Sequence, residues 1–406
     1  MDIHRKNILL QNCNGLETSQ IIDIVKAGEI NIEEFKTAGL NQNKILQIIN
    51  LLASKEEAQN IANRKKEEEE FNANRKKELL NKVISGTVTA DEIKANINNG
   101  YSFDDLLDAG VNNRIVNSLK HYCNSNRFTM FRNINQLPPM EEGRTDVYFV
   151  GVPGSGKSTM LSGLLNISNK NGILIPEPDK NNDGSIYQTQ LISDLNKGVL
   201  PNATAKGSYN YVALSIKDED GAKHPFNIVE VPGENYTNMF NNGDVGEFLN
   251  YIDNKNKKIL IFVIDSLSHD TGYNDSYNQL DQNLVYVNIL NMFKSNGTLE
   301  QTDAIYLVAN KFDAIKESRY SNNNSSDESL ALDFLQDEFK ALINNCKDAR
   351  EESKNKFKIK ILPFSIGDVS YTSIIDNFNK EYSSVIVDNL IEDSFVVKGS
   401  KFKLFR

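Results

Sequence analysis

The apolar segment Val147-Tyr148-Phe149-Val150 runs directly into Gly151-Val152-Pro153-Gly154-Ser155-Gly156-Lys157-Ser158-Thr159, and that into the helical stretch Met160 to Leu165. A buried strand, a glycine-rich turn and a helix in immediate succession set the segment in an alternating α/β architecture. The spacing is the phosphate-loop pattern G-x-x-x-x-G-K-S in its strand–loop–helix setting. Its glycines let backbone N–H groups turn inward around a β-phosphate, and the following helix contributes its N-terminal dipole. Lys157 then reaches the β/γ oxygens, and the Ser158 hydroxyl is offered to Mg²⁺. Gly151, Gly154, Ser155, Gly156, Lys157, Ser158 and Thr159 are therefore the candidate nucleotide-binding residues.

The rest of the chain is long enough for more than one domain. It has 406 residues, 39% hydrophobic and 25% charged, which suits packed cores and excludes wholesale disorder. A net charge of −10 argues against a duplex-coating nucleic-acid binder. Cys13, Cys123 and Cys346 are odd in number and far apart, as expected of reduced thiols in a cytoplasmic protein. No apolar run reaches the length of a membrane span, and residues 8–10 are too short an apolar core for a signal peptide.

Composition changes near residue 140. Before it, apolar residues recur at helical spacing; after it, short β-branched runs alternate with helical stretches. The expected division is a helical unit at 1–53, a charged connecting helix at 54–82, a second helical unit at 83–122, a linker at 123–143, an α/β domain at 144–393 and a tail at 394–406. The two helical units repeat weakly: residues 32–41 resemble 103–112, and 25–31 resemble 83–89. Gly28, Gly39, Gly86 and Gly110 are expected to end helices, with Asn31 and Thr89 capping the next ones. Such units suit recruitment of a protein partner or self-association. In the connecting helix Arg64-Lys65-Lys66 and Arg75-Lys76-Lys77 share a face, with Glu67 to Glu70 neutralising it, as a solvated helix would.

The strand Ala304 to Ala309 ends in Asn310-Lys311-Phe312-Asp313, which resembles the N-K-x-D motif of the Ras-like, translation-factor-related (TRAFAC) P-loop GTPases. That resemblance implies a doubly wound sheet of about six strands, with GTP or GDP and Mg²⁺ at the strands' carboxyl ends. It maps guanine recognition onto Asp313, a tie to the phosphate loop onto Asn310, and cover for the base onto Lys311. Ser365-Ile366-Gly367 after a strand resembles the family's final base-contacting loop, near guanine O6. The family's D-x-x-G motif corresponds to Glu230-Val231-Pro232-Gly233, with Gly233 as the γ-phosphate sensor. Glu230 is one methylene longer than the usual Asp, and Glu234 stands where many members carry a water-orienting Gln. A carboxylate there accepts from water but cannot donate to phosphate.

Two assignments have competitors. Thr204, in Pro201-Asn202-Ala203-Thr204, is the candidate switch threonine for Mg²⁺, with Thr189 the runner-up. This pattern and the V-P-G-E run resemble bacterial GTPases of conflict and signalling systems, over roughly residues 146–393. Strand Leu260 to Ile264 ends in Asp265, which would be the Walker B carboxylate were the chain an ATPase. The leading expectation is a Mg²⁺-dependent GTP-hydrolysing switch, slow without a partner. The alternatives are a nucleotide-gated scaffold with little hydrolysis and an ATPase using Asp265. Residues 266–276 form a polar loop near the site, and the basic tail 398–406 reads as an edge segment.

Overall fold

The computed structural model describes residues 3–99, 101–124, 133–202, 204, 207–242, 246–269 and 281–397. Most of the loop 266–276 and the basic tail lie outside them. The chain forms two compact units, residues 1–82 and 83–406.

In the first unit α1 (Ile3–Gln11), α2 (Thr18–Lys26) and α3 (Ile32–Thr37) precede α4 (Gln42–Ile84). Ile21, Ile22, Phe35, Leu40, Ile45 and Ile48 form its core. Asn31 caps α3 in a capping box with Glu34. From Gln59 to Arg75 α4 is exposed on every face, so this stretch is held by helix propensity and pairs such as Lys66–Glu70 rather than by packing.

The second unit begins with α5 (Ala90–Asn98), α6 (Phe103–Asp108) and α7 (Asn113–Asn124). Thr89 and Ser102 close capping boxes on α5 and α6. The four glycines expected to end helices all have positive φ, between 65° and 88°. These helices pack on the α/β part: His121 meets Asp194 at 3.0 Å, and the Ala90 N–H donates to Tyr371 O at 2.9 Å. Of the expected linker, residues 125–132 lie outside the description, whereas Ile134 is buried in the α/β core.

The α/β part runs β1 (Thr145–Val150), α8 (Lys157–Lys170), β2 (Leu174–Pro176), α9 (Asn182–Asn196), β3 (Asn210–Lys217), β4 (Lys223–Glu230), α10 (Gly233–Asn242), α11 (Gly246–Ile252) and β5 (Lys257–Asp265). It continues with α12 (Gln282–Ser295), β6 (Thr302–Asn310), α13 (Phe312–Tyr320), α14 (Asp327–Glu338), α15 (Lys340–Glu352), β7 (Lys358–Phe364), a hairpin β8 (Gly367–Ser370) and β9 (Ile374–Phe378), and α16 (Lys380–Asp393). The seven-stranded sheet has the order β2-β3-β4-β1-β5-β6-β7. β2 to β4 pair antiparallel, and β4, β1, β5, β6 and β7 are parallel.

Strand alternation divides the core between two faces. Leu260, Phe262 and Ile264 pack beneath α12 and α15 with Ile289 and Leu342, whereas Ile259, Ile261 and Val263 pack toward α8, α9 and α16 with Leu164, Leu191 and Ile386. Helices on both faces are why these strands read as continuous apolar runs. The order reverses at β1, so the carboxyl ends of β1, β4, β5, β6 and β7 converge on one edge, the ligand position of open α/β sheets. Among the described residues no helix is long and apolar enough to cross a membrane, and Cys13, Cys123 and Cys346 are free thiols.

Candidate functional site

The loop after β1 is shaped by two left-handed glycines, Gly154 (φ 76°) and Gly156 (φ 92°), the latter serving as the N-cap of α8. The start of the loop is propped from the neighbouring strand: the Val152 N–H donates to the Tyr286 hydroxyl at 3.4 Å, and that hydroxyl donates to Val263 O at 2.8 Å. Lys157 Nζ donates to Gly151 O at 2.8 Å and Val152 O at 3.1 Å. Burial pushes its pKa down to about 8, against the raising influence of Glu230 and Glu234. Ser155 Oγ is buried without a protein partner among the described residues, a polar atom suited to a phosphate oxygen.

At the end of β4, Glu230 meets two hydroxyls that sequence spacing singled out separately. Ser158 Oγ donates to Glu230 Oε1, Thr204 Oγ1 donates to the same oxygen at 2.9 Å, and the two hydroxyls lie 3.1 Å apart. Three hard oxygen donors on three segments therefore converge beside the phosphate loop. That donor set fits a Mg²⁺ ion, which takes oxygen ligands and retains water. Thr189 is elsewhere: it sits on the exposed face of α9, its hydroxyl turned back to Ser185 O. Asp265 ends the strand β5. Its carboxylate accepts from Lys311 Nζ at 2.8 Å and from the Leu267 N–H at 3.1 Å.

Gly233 opens α10 against the phosphate loop. A Cβ there would lie 2.2 Å from Pro153 N and 2.5 Å from Val152 C, so only glycine permits this approach. Glu234, partly exposed, follows it and lines a cavity of about 370 Å³ with Gly154, Lys157, Ser158 and Thr204.

The N-K-x-D segment turns at Lys311, which has φ 57°. The turn leaves Asn310 buried at the end of β6 and Asp313 exposed in the first turn of α13. Asn310 Nδ2 donates to Ser155 O at 2.6 Å, the tie between the two loops that the sequence pattern implied. Asp313 and Ser365 line a second, larger cavity of about 1130 Å³. Ser365 is buried and accepts from the Gly367 N–H at 3.0 Å, and Ile366 is buried beside it.

Two residues of the site belong to none of the sequence motifs. The Tyr187 hydroxyl donates to Glu230 Oε2 at 2.6 Å, and Asn210 Nδ2 donates to the same oxygen at 3.0 Å. Burial, then Glu230, holds the Tyr187 pKa well above that of a free phenol.

Residues 148–302, which span the phosphate loop, Thr204, Glu230 and Asp265, match the family model described as Double-GTPase 1 (DO-GTPase1). The match supports a P-loop GTPase domain. No curated protein matches the chain. Among solved structures, that of a nucleolar GTP-binding protein 1 from Plasmodium falciparum is 16% identical with a TM-score of 0.30, over 63% of this chain and 90% of that one.

Proposed function

We propose that this chain is a Mg²⁺-dependent GTP-binding and GTP-hydrolysing switch of the Ras-like, translation-factor-related class, whose N-terminal helical region recruits a partner or associates with a second copy. The observation that carries this reading is the convergence of Ser158, Thr204 and Glu230 beside a phosphate loop that Asn310 ties to the N-K-x-D turn. Support also comes from the Double-GTPase 1 match.

In this reading the N–H groups of residues 154–159 and the N-terminus of α8 receive the phosphates, and Lys157 leaves the Gly151 and Val152 carbonyls for their oxygens. Ser158, Thr204 and Glu230 would hold Mg²⁺, which would supply neutralisation of the phosphate charge. Gly233 donates its N–H to the γ-phosphate; Asp313 pairs with guanine N1–H and N2–H₂; Lys311 covers the base; and Ser365 and Ile366 offer backbone toward O6. Glu234 accepts from the attacking water but has no proton to give the γ-phosphate, which favours slow hydrolysis and keeps a second reading in view, a nucleotide-gated scaffold.

Single-turnover hydrolysis of GTP and ATP by the purified chain, with and without Mg²⁺, is the test. Guanine-selective, Mg²⁺-dependent turnover is expected; ATP turnover equal to that of GTP would overturn the reading. Tight GTP binding without turnover would select the scaffold.

A further inference from the structure

Glu230 is gripped on both oxygens. Oε1 faces the Ser158 and Thr204 hydroxyls, while Oε2 accepts from Tyr187 and Asn210. All of Glu230, Tyr187 and Asn210 are at most 4% exposed. We propose that Tyr187 and Asn210 are positioning residues that clamp Glu230 through Oε2 so that Oε1 faces the Mg²⁺ position, and that this clamp is what lets a glutamate serve there. The inference rests on the reading of Ser158, Thr204 and Glu230 as the metal-holding set.

The clamp is built on regular elements, so its geometry is fixed before any ligand arrives. Asn210 opens β3 directly opposite Glu230, the last residue of β4, in the antiparallel register, which puts both side chains on one face of the sheet. Tyr187 is brought in by α9. The start of that helix is pinned to β3 by Asn181, whose Nδ2 donates to Tyr211 O at 2.6 Å and whose Oδ1 caps the Gly184 N–H. Gly184 makes the approach possible, because a Cβ there would lie 2.2 Å from Tyr211 O. One turn later the Tyr187 ring enters the core that also holds Leu191 and Phe149, and its hydroxyl ends at the carboxylate.

The physical need follows from the side chain. Glutamate has one more rotatable bond than aspartate, so an unclamped Glu230 would spread its oxygens over several rotamers. Two donors on Oε2, each charge-assisted, remove that freedom and leave Oε1 to the two hydroxyls. Aspartate, shorter by one methylene, would draw the carboxylate back toward the β4 backbone and away from these four partners. Substituting the residue common in related GTPases should therefore harm this protein.

The experiment uses the full chain and a fluorescent GDP, with affinity read in EDTA and across a Mg²⁺ titration. Tyr187→Phe should raise the Mg²⁺ concentration for half-maximal tightening by about tenfold, the usual effect of losing a partner behind a metal ligand, with affinity in EDTA unchanged within about twofold. Glu230→Asp should shift it in the same direction. Asn210→Ala removes one donor from the opposite strand and serves as the second probe should the tyrosine variant fold poorly. An unmoved Mg²⁺ midpoint in a folded Tyr187→Phe or Asn210→Ala protein, even with a lowered melting point, would overturn the clamp and leave only packing. So would Glu230→Asp responding to less Mg²⁺ than wild type. Failure of the underlying reading looks different: wild type itself would then bind GDP without any Mg²⁺ effect, or not at all.

Discussion

Asn310 and Ser155 lie on loops after different strands, and a hydrogen bond of 2.6 Å from the Asn310 amide to the Ser155 carbonyl joins them. The same amide lies over the outer face of Gly156, where an added Cβ would come within 2.2 Å of its nitrogen. The loop that would read the base and the loop that would hold the phosphates are thus one mechanical unit. Asn310→Ala should orphan the buried carbonyl and weaken GDP binding by about 1–3 kcal/mol. Calorimetric titration checks this, and an unchanged affinity would mean the loops are held by other contacts.

Base choice is expected to sit at Asp313. Asp313 is exposed at the start of α13 on the wall of the larger cavity, so its substitution leaves the buried core intact. Asp313→Asn should cost about 1.5–3 kcal/mol of GTP affinity, the range for hydrogen bonds to a charged group, and improve binding of xanthosine nucleotides. A competition assay with the two bases decides it. Equal wild-type affinity for ATP and GTP would sink the assignment.

Lys157 supplies a pH signature. Burial lowers its pKa to about 8 in the free protein, and the phosphates would raise it again on binding. Above pH 8, binding should therefore take up a proton, and affinity should fall with pH, at most tenfold per unit. Lys157→Arg, charged throughout, should lose this slope between pH 7 and 9. In the free protein the sign is opposite. The depressed folded pKa makes the charged lysine destabilising below about pH 8, and that penalty fades as pH rises toward 10.5, so stability rises through this window. Lys258, lowered to about 8 by the same cause, adds in the same direction.

The β8–β9 hairpin stores backbone strain at its tip, where Tyr371 and Thr372 both lie in the left-handed region, at φ 49° and 60°. What holds them there is docking: the Tyr371 hydroxyl donates to Val83 O at 3.2 Å, and its carbonyl accepts from the Ala90 N–H. A β-branched residue at positive φ is costly, and asparagine tolerates it. Thr372→Asn should stabilise the protein by about 1 kcal/mol. A thermal melt showing a lower midpoint would refute this.

Which parts of this protein could be read from its sequence follows from how local the signals are. The strands β1, β5 and β6 lie within about three residues of where their apolar runs put them, because burial on both faces leaves continuous β-branched segments. Ser158 sits in a motif whose spacing marks it, Glu230 and Asn310 are placed by the family resemblance, and Thr204 is the favoured of two threonines. β2 was not legible, being three residues long, and neither was the hairpin, since Tyr-Thr is the reverse of the Asn-Gly that marks such a turn. Tyr187 and Asn210 were missed for a different reason. An aromatic on one helix face reads as core packing, and only the α9–β3 contact through Gly184 turns it toward Glu230.

The boundary between the two units changes how partner-dependent hydrolysis should be tested. The helices α5 to α7 are built into the nucleotide-binding unit, through His121–Asp194 and through Ala90 and Val83 to Tyr371, so a cut after them would strip the α/β core. The chain divides instead after Lys82. Glu234 cannot both hold water and donate to the γ-phosphate, so turnover by residues 83–406 should be slow and independent of protein concentration. An arginine or amide supplied in trans adds roughly 10³–10⁵ in rate where such assistance is known. If the first helical unit and α4 bring in a second copy, hydrolysis per molecule should rise with concentration for the full chain and stay flat for residues 83–406, with GDP affinity equal in both. Fast, concentration-independent turnover by the shortened protein would refute assistance in trans and require the missing proton donor to lie within the nucleotide-binding unit itself.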